Sequence, residues 1–209
     1  MKTVEKMIDS LIRQSCEIMV TLKKLRETDY TDDLKEFENQ TDRLTMLSEK
    51  YCCSVRDFSH LTYCATDYEI MDKAAEVMGI EVYKSDKAVT IDIPQLLPRK
   101  KGKNNKYLCE PLRAKLDEMS KSVDLKIREK AVILITHIYN DKRQTARCYD
   151  YDNLESKKVI DVVALYTLTD DAPQYCDVYQ TEKFGSVDKT QIIVMPKESF
   201  RECILSDIF

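Results

Sequence analysis

Tryptophan is absent from the 209 residues, and glycine and proline number only 3 and 5. So few turn formers argue against a turn-rich sandwich or barrel and for long regular elements. No apolar run approaches the roughly 20 residues that a bilayer span needs. The opening Met1-Lys2-Thr3-Val4-Glu5-Lys6 turns acidic before any signal-type apolar core, which predicts a cytoplasmic protein that neither enters nor crosses a membrane. The 8 cysteines include no Cys-x-x-Cys spacing and read as reduced thiols rather than a disulfide frame. Cys52, Cys53, His60 and Cys64 lie close in sequence, but adjacent cysteines rarely share one ion and no paired knuckle spacing is present, which argues against zinc.

What is present is a folded composition: 43% hydrophobic and 33% charged residues, enough for one ordinary domain or two small ones with a real core. The net charge of −4 is unevenly spread. Residues 1–80 hold 11 basic and 16 acidic side chains, whereas residues 81–209 hold 22 and 21. In the second part Arg99, Lys100, Lys101, Lys103 and Lys106 bunch together, with Lys142, Arg143 and Arg147 further on. Acids gather instead at Asp150, Asp152, Asp161, Asp170 and Asp171. Basic segments around an acidic cluster that could hold a cation suit an enzyme acting on phosphates.

Residues 1–80 read as a helical region. Val4, Leu11, Ile18 and Leu25 recur every seven residues, with Met7, Ile8, Met19 and Leu22 in the same stripe. The segment 29–33 breaks that pattern and offers N-cap side chains to a second helix carrying Leu34, Phe37, Leu44, Leu47 and Tyr51. A short connection favours an antiparallel hairpin, packed on itself or used to bind a protein partner. A third helix is expected over 67–78, stopped by Gly79.

Residues 81–209 read as an α+β domain ordered β-α-β-α-β-β. Val89–Ile93 alternates like a half-buried strand. A basic loop and a helix near 111–119 follow. Ala131–Ile138 is almost wholly apolar and reads as a central strand covered on both faces. A helix is expected over 154–165, then strands near 175–181 and 190–195. His137 sits at the end of the central strand, where a hydrogen-bonded imidazole is the ordinary reading.

The informative stretch is 150–171. In an extended segment Asp150 and Asp152 would point the same way, and Asp170 or Asp171, returning after the helix, could add a third carboxylate. Such oxygen ligands suit Mg²⁺. Lys157 or Lys158 could then balance charge on a phosphate in attack. Each piece also has a plain structural reading. Asp152 with Glu155 makes a capping box, Asp170-Asp171-Ala172-Pro173 is good turn chemistry, and Lys157 can pair with Asp161 on the helix surface.

The run Asp150-Tyr151-Asp152-Asn153-Leu154, then Lys157, Asp161 and Asp170-Asp171-Ala172, resembles the signature of RusA-type Holliday-junction resolvases over about residues 87–197. The resemblance implies a RusA-like fold behind an extra helical region, and a homodimer that nicks four-way or related branched DNA. It implies Mg²⁺, for which Mn²⁺ can substitute, held by Asp150, Asp152 and Asp171, with Lys157 as catalytic lysine. Counting forward from Asp152 puts the family's lysine at Ser156, and counting back from Asp161 puts it at Lys157, so Lys157 and Lys158 both remain candidates. Arg99, Lys100, Lys101, Lys103 and Lys106, then Lys142, Arg143 and Arg147, are the expected phosphate contacts. The alternative expectation is a non-catalytic interaction or DNA-binding protein of a phage or mobile element.

Overall fold

In the computed structural model, residues 2–29, 31–59, 61, 67–99, 106–141, 150–170 and 172–205 are described. The chain separates into two compact units, Met1–Ile70 and Met71–Phe209. The division falls inside the third helix, ahead of the 80/81 boundary expected from composition.

The first unit contains two long helices, α1 (Lys2–Glu27) and α2 (Leu34–Ser59). The turn between them is built from aspartates. Asp29 accepts hydrogen bonds from the backbone N–H and hydroxyl of Thr31, at 2.8 and 2.6 Å. Asp33 accepts from the Glu36 N–H at 3.0 Å and so caps α2. The helices touch along the expected seam, yet the described residues buried in this unit are Gln14, Thr21, Gln40 and Arg56, all polar. Ser54 on α2 donates to Gln14 Oε1 on α1 at 3.2 Å.

The second unit holds the main core. Helix α3 (Asp67–Met78) ends as its sequence predicts. Gly79 takes φ +70°, its N–H bonds the Glu76 carbonyl at 2.9 Å, and the Ile80 N–H bonds that of Ala75 at 3.0 Å. These two reverse bonds satisfy carbonyls a helix end would otherwise strand. Strands β1 (Glu81–Lys84) and β2 (Val89–Ile93) follow, then α4 (Lys106–Ser122) and β3 (Ala131–Asn140). After a 3₁₀ turn at Tyr151–Asn153 come α5 (Ser156–Thr167), β4 (Cys176–Gly185), β5 (Lys189–Pro196) and α6 (Lys197–Leu205).

The strands form one mixed sheet in the order β1-β2-β5-β3-β4. Only β3 and β4 run parallel, joined through α5; the other neighbours are antiparallel. Val89 and Ile91 of β2, Ile133 and Ile135 of β3, and Ile192 and Val194 of β5 lie on one face by register. They pack with Leu108, Leu112 and Leu116 of α4 and Val159, Val162 and Val163 of α5. On the other face, Val132, Leu134 and Met195 meet Phe200 of α6.

The α+β expectation holds, with corrections at its edges. Strand β1 and helix α6 extend the expected β-α-β-α-β-β order. Helix α4 starts at Lys106 rather than near 111, because Leu108 and Leu112 are fully buried and hold the turn around Pro111 against the sheet; Lys106 is therefore helical, not part of a loop. Helix α5 starts at Ser156, two residues later than expected.

Two substitutions check this packing by urea denaturation. Ile135→Ala, at a fully buried position, is expected to cost about 2–5 kcal/mol. Gly79→Ala forces a side chain into the left-handed region, with its Cβ 3.3 Å from Pro94 Cγ, and is expected to cost about 1–2 kcal/mol.

Candidate functional site

The Asp150–Asn153 stretch is not extended. Asp150 precedes the 3₁₀ turn at φ −54° and ψ 135°, and its carbonyl accepts the Asn153 N–H at 2.8 Å. A 3₁₀ turn advances about 120° per residue, so Asp150 and Asp152 do not share one direction as strand geometry would require. Nor does Asp152 cap α5: the N-cap is Glu155, and it makes no side-chain cap hydrogen bond. Both Asp150 and Asp152 are solvent-exposed, and the capping role that would have explained Asp152 is not realised.

The turn is anchored on both sides. Leu154 is fully buried and makes an antiparallel bridge with Arg99, and the Glu155 N–H bonds the Pro98 carbonyl at 2.8 Å. That pairing holds half-buried Arg99 next to the aspartate turn. On the sheet side, the Tyr151 ring stacks over His137 with centroids 5.7 Å apart and planes inclined by 29°.

His137 lies inside β3, which runs on to Asn140, and is fully buried. Its Nε2 is 3.2 Å from Gln180 Oε1 on β4, the hydrogen bond expected of it, though within the strand rather than at its end. Its Nδ1 is buried without a hydrogen-bond partner, and so is the hydroxyl of Thr190, directly opposite on β5. Burial holds the imidazole below its ordinary value, against the opposing pulls of Gln180 and the Glu182 carboxylate. Sequence reasoning missed Thr190 because its partner across the sheet is set by register, which no local pattern reveals.

Helices α4 and α5 begin at this same end. Cys109, in the first turn of α4, lies within electrostatic reach of Glu155 and Lys158 at the start of α5. Neither helix has an acid in its first turn, although the N-cap of α5 is itself an acid, Glu155, which offsets the positive end of that helix. Lys106, Arg113 and Lys158 add full charges. Lys106 is within 4.0 Å of Glu110. The Cys109 thiol is pushed up to about 11 by burial, so it stays protonated and is no nucleophile.

Asp170 is not part of this assembly. It follows α5, whose 12 residues span about 18 Å from the aspartate turn. There Asp170 accepts the Ala172 N–H at 2.9 Å, the plain turn role. The same helix end is closed by Lys126, whose ammonium donates to the carbonyls of Leu165 and Leu168. The expectation that Asp170 could join Asp150 and Asp152 is thus overturned by the length of the intervening helix. Asp171 lies outside the described residues, as do Lys100, Lys101, Lys103, Lys142, Arg143, Arg147, His60 and Cys64. Among the described residues no three His, Cys, Asp or Glu side chains converge to hold a metal. Lys157 is 79% exposed and bonds both Asp161 oxygens at 3.1 Å, the surface pair its spacing allowed. Cys16, Cys52, Cys53, Cys109 and Cys176 carry thiols, and no described helix is long and apolar enough to cross a membrane.

Residues 1–207 match the family described as "Family of unknown function (DUF6100)", and the chain belongs to it. No curated protein matches. Among solved structures, the periplasmic domain of Helicobacter pylori MotB (residues 90–256) is similar at 14% identity, covering 63% of this chain and 90% of that one with a TM-score of 0.33. A second structure of that domain (residues 97–256) gives 14% identity, coverage of 62% and 98%, and a TM-score of 0.32. At such scores the likeness carries no argument about fold or activity.

The buried imidazole makes stability depend on pH. An unfolded chain has His137 at its ordinary value, so on acidification the unfolded state takes up the proton first. The contribution of neutral His137 is complete above pH 6.5 and is lost as pH falls through its lower folded value. Thermal melts between neutral and mildly acidic pH should show this decline, and His137→Phe should flatten it.

Proposed function

We propose that the chain is a RusA-like, Mg²⁺-dependent endodeoxyribonuclease acting on Holliday junctions or related branched DNA, and that it works as a homodimer. The observation that carries this reading is the shared end of α4 and α5. Arg99 is bridged to Leu154 beside an exposed turn that presents Asp150 and Asp152 without a capping role for either, and Cys109 at the start of α4 lies within electrostatic reach of Lys158 at the start of α5.

The donor chemistry fits the ion. Mg²⁺ is usually bound through one or two carboxylates, with waters and substrate phosphate oxygens completing its shell. Asp150 or Asp152, each exposed on the turn, could supply such a carboxylate, with Asp171 the further ligand that the resemblance implies. When bound, the ion supplies Lewis-acid stabilisation of the phosphodiester and a more acidic attacking water. The chain's own residues do the rest. Arg99 and Lys106 hold backbone phosphates, and the N–H groups at the start of α4 and α5 favour an anion beside the turn. Tyr151, stacked on His137, ties the backbone between the two aspartates to the sheet. Lys157 can exchange Asp161 for a phosphate at small cost, since an exposed pair of this spacing is worth only about 0.3–0.5 kcal/mol; Lys158 reaches the same end without leaving a partner in the α5 surface pair.

A second reading, a DNA-binding or interaction protein that does not cleave, is favoured by one observation: the turn role of Asp170 at the opposite end of α5. The two readings part in one experiment. A labelled four-way junction is incubated with the protein in Mg²⁺ or Mn²⁺, and both binding and nicking are followed. The nuclease reading expects nicks that fall roughly 100-fold or more in Asp152→Asn at unchanged melting temperature, and a larger loss in whichever of Lys157→Ala and Lys158→Ala removes the lysine beside the phosphate. Binding that weakens steeply with salt, with no cleavage in either metal, would replace it with the second reading.

A further inference from the structure

Strand β4 forms one edge of the sheet. Register pairs its Glu182 with His137 and its Phe184 with Tyr139, and alternate residues of a strand share a face. These four side chains therefore lie on the side where Tyr151 of the aspartate turn stacks on His137. His137 and Tyr139 are buried, whereas Glu182 and Phe184 are open to water, Phe184 to 58%. The Phe184 ring leans on Tyr139, with centroids 6.5 Å apart and planes inclined by 47°. A phenyl ring gains most from being covered; this one is braced by a buried aromatic neighbour and still exposed.

The chemistry around the ring decides what fits it. Glu182, two residues back on the same side, offers carboxylate oxygens that only accept hydrogen bonds. Lys183 alternates to the opposite face, and Lys189 is paired with Asp92 at 3.0 Å, so neither offsets that acid here. A phosphate is repelled by such a patch. A nucleobase with an amino group suits both residues, because its plane stacks on the ring and its amine donates to the carboxylate. Strand geometry sets Phe184 roughly 8 Å from His137, close enough for a base whose own phosphate lies at the aspartate turn. Inside a duplex the plane and the pairing amine of a base are already engaged, so only an unpaired base can reach Phe184.

We propose that Phe184 and Glu182 form a stacking site for an unpaired, amine-bearing nucleobase, which directs the aspartate turn to a strand leaving its duplex at a branch point. The inference rests on the nuclease reading for the presence of DNA at that turn, but not on cleavage. Fluorescence anisotropy of the full chain in Ca²⁺ tests it with three labelled probes: a four-way junction with unpaired cytosines at its branch point, the same junction with unpaired thymines, and a linear duplex. Wild type should bind them in that order of decreasing affinity. Phe184→Ala should lose roughly tenfold on the cytosine junction and nothing on the duplex, while Phe184→Trp keeps the wild-type value. Glu182→Ala should erase the difference between cytosine and thymine. Equal losses on junction and duplex overturn the proposal, as do a Phe184→Ala chain that binds like wild type, a tryptophan that fails to substitute, or indifference of the wild type to the unpaired base. Loss of oligolysine binding in Phe184→Ala with DNA binding intact would assign the patch to a basic protein segment and overturn it too. In Mg²⁺ the two readings separate. Nicking by a Phe184→Ala chain of undiminished junction affinity removes this inference alone, Phe184-dependent binding without nicking removes the nuclease alone, and a chain that binds no DNA removes both.

Discussion

The arrangement of the second unit depends on one strand that has no wet face. Ala131 to Tyr139 of β3 are all buried, and a strand covered on both sides must find partners for every backbone group and cover for every side chain. β4 and β5 supply the backbone partners along nearly its whole length. Helices α4 and α5 cover one face and α6 the other. Thr136 and His137 interrupt the apolar run of β3 ahead of buried Ile138 and Tyr139, and there the cover changes kind. An imidazole cannot be sealed under aliphatic carbon without cost, and the chain places Gln180 beside it and the Tyr151 ring above it. The aspartate turn is thus held over the imidazole that interrupts this buried strand.

Much of this is legible in the sequence. The unbroken apolar run gave β3, the alternation at Val89–Ile93 gave β2, and Gly79 marked the end of α3, because each is a local pattern with a local cause. What stayed hidden was set by distance in sequence. β1 is only four residues long and is a strand because β2 pairs with it. The start of α4 at Lys106, ahead of Pro111, reflects burial of Leu108 against the sheet.

The candidate site was legible in its parts and not in its assembly. Asp150, Asp152 and either Asp170 or Asp171 read as carboxylates able to serve one ion, yet sequence distance says nothing about which end of a helix a residue occupies. A parallel β3-α5-β4 unit must spend its helix travelling back along the sheet, so residues on either side of α5 are kept apart. The backbone pairing of Pro98 and Arg99 with Leu154 and Glu155 was equally invisible, and it is what places a basic residue beside the aspartates.

The bond between Ser54 and Gln14 has a consequence for the hairpin of α1 and α2. Greasy seams slide easily, since one aliphatic rung resembles the next. A polar rung does not: slipping either helix by a turn would strand an amide among carbons, a penalty that leucines alone would never impose. The seam gives up some cohesion and gains a unique alignment, so whatever the outer surface of α1 meets, it meets a ruler whose marks do not move.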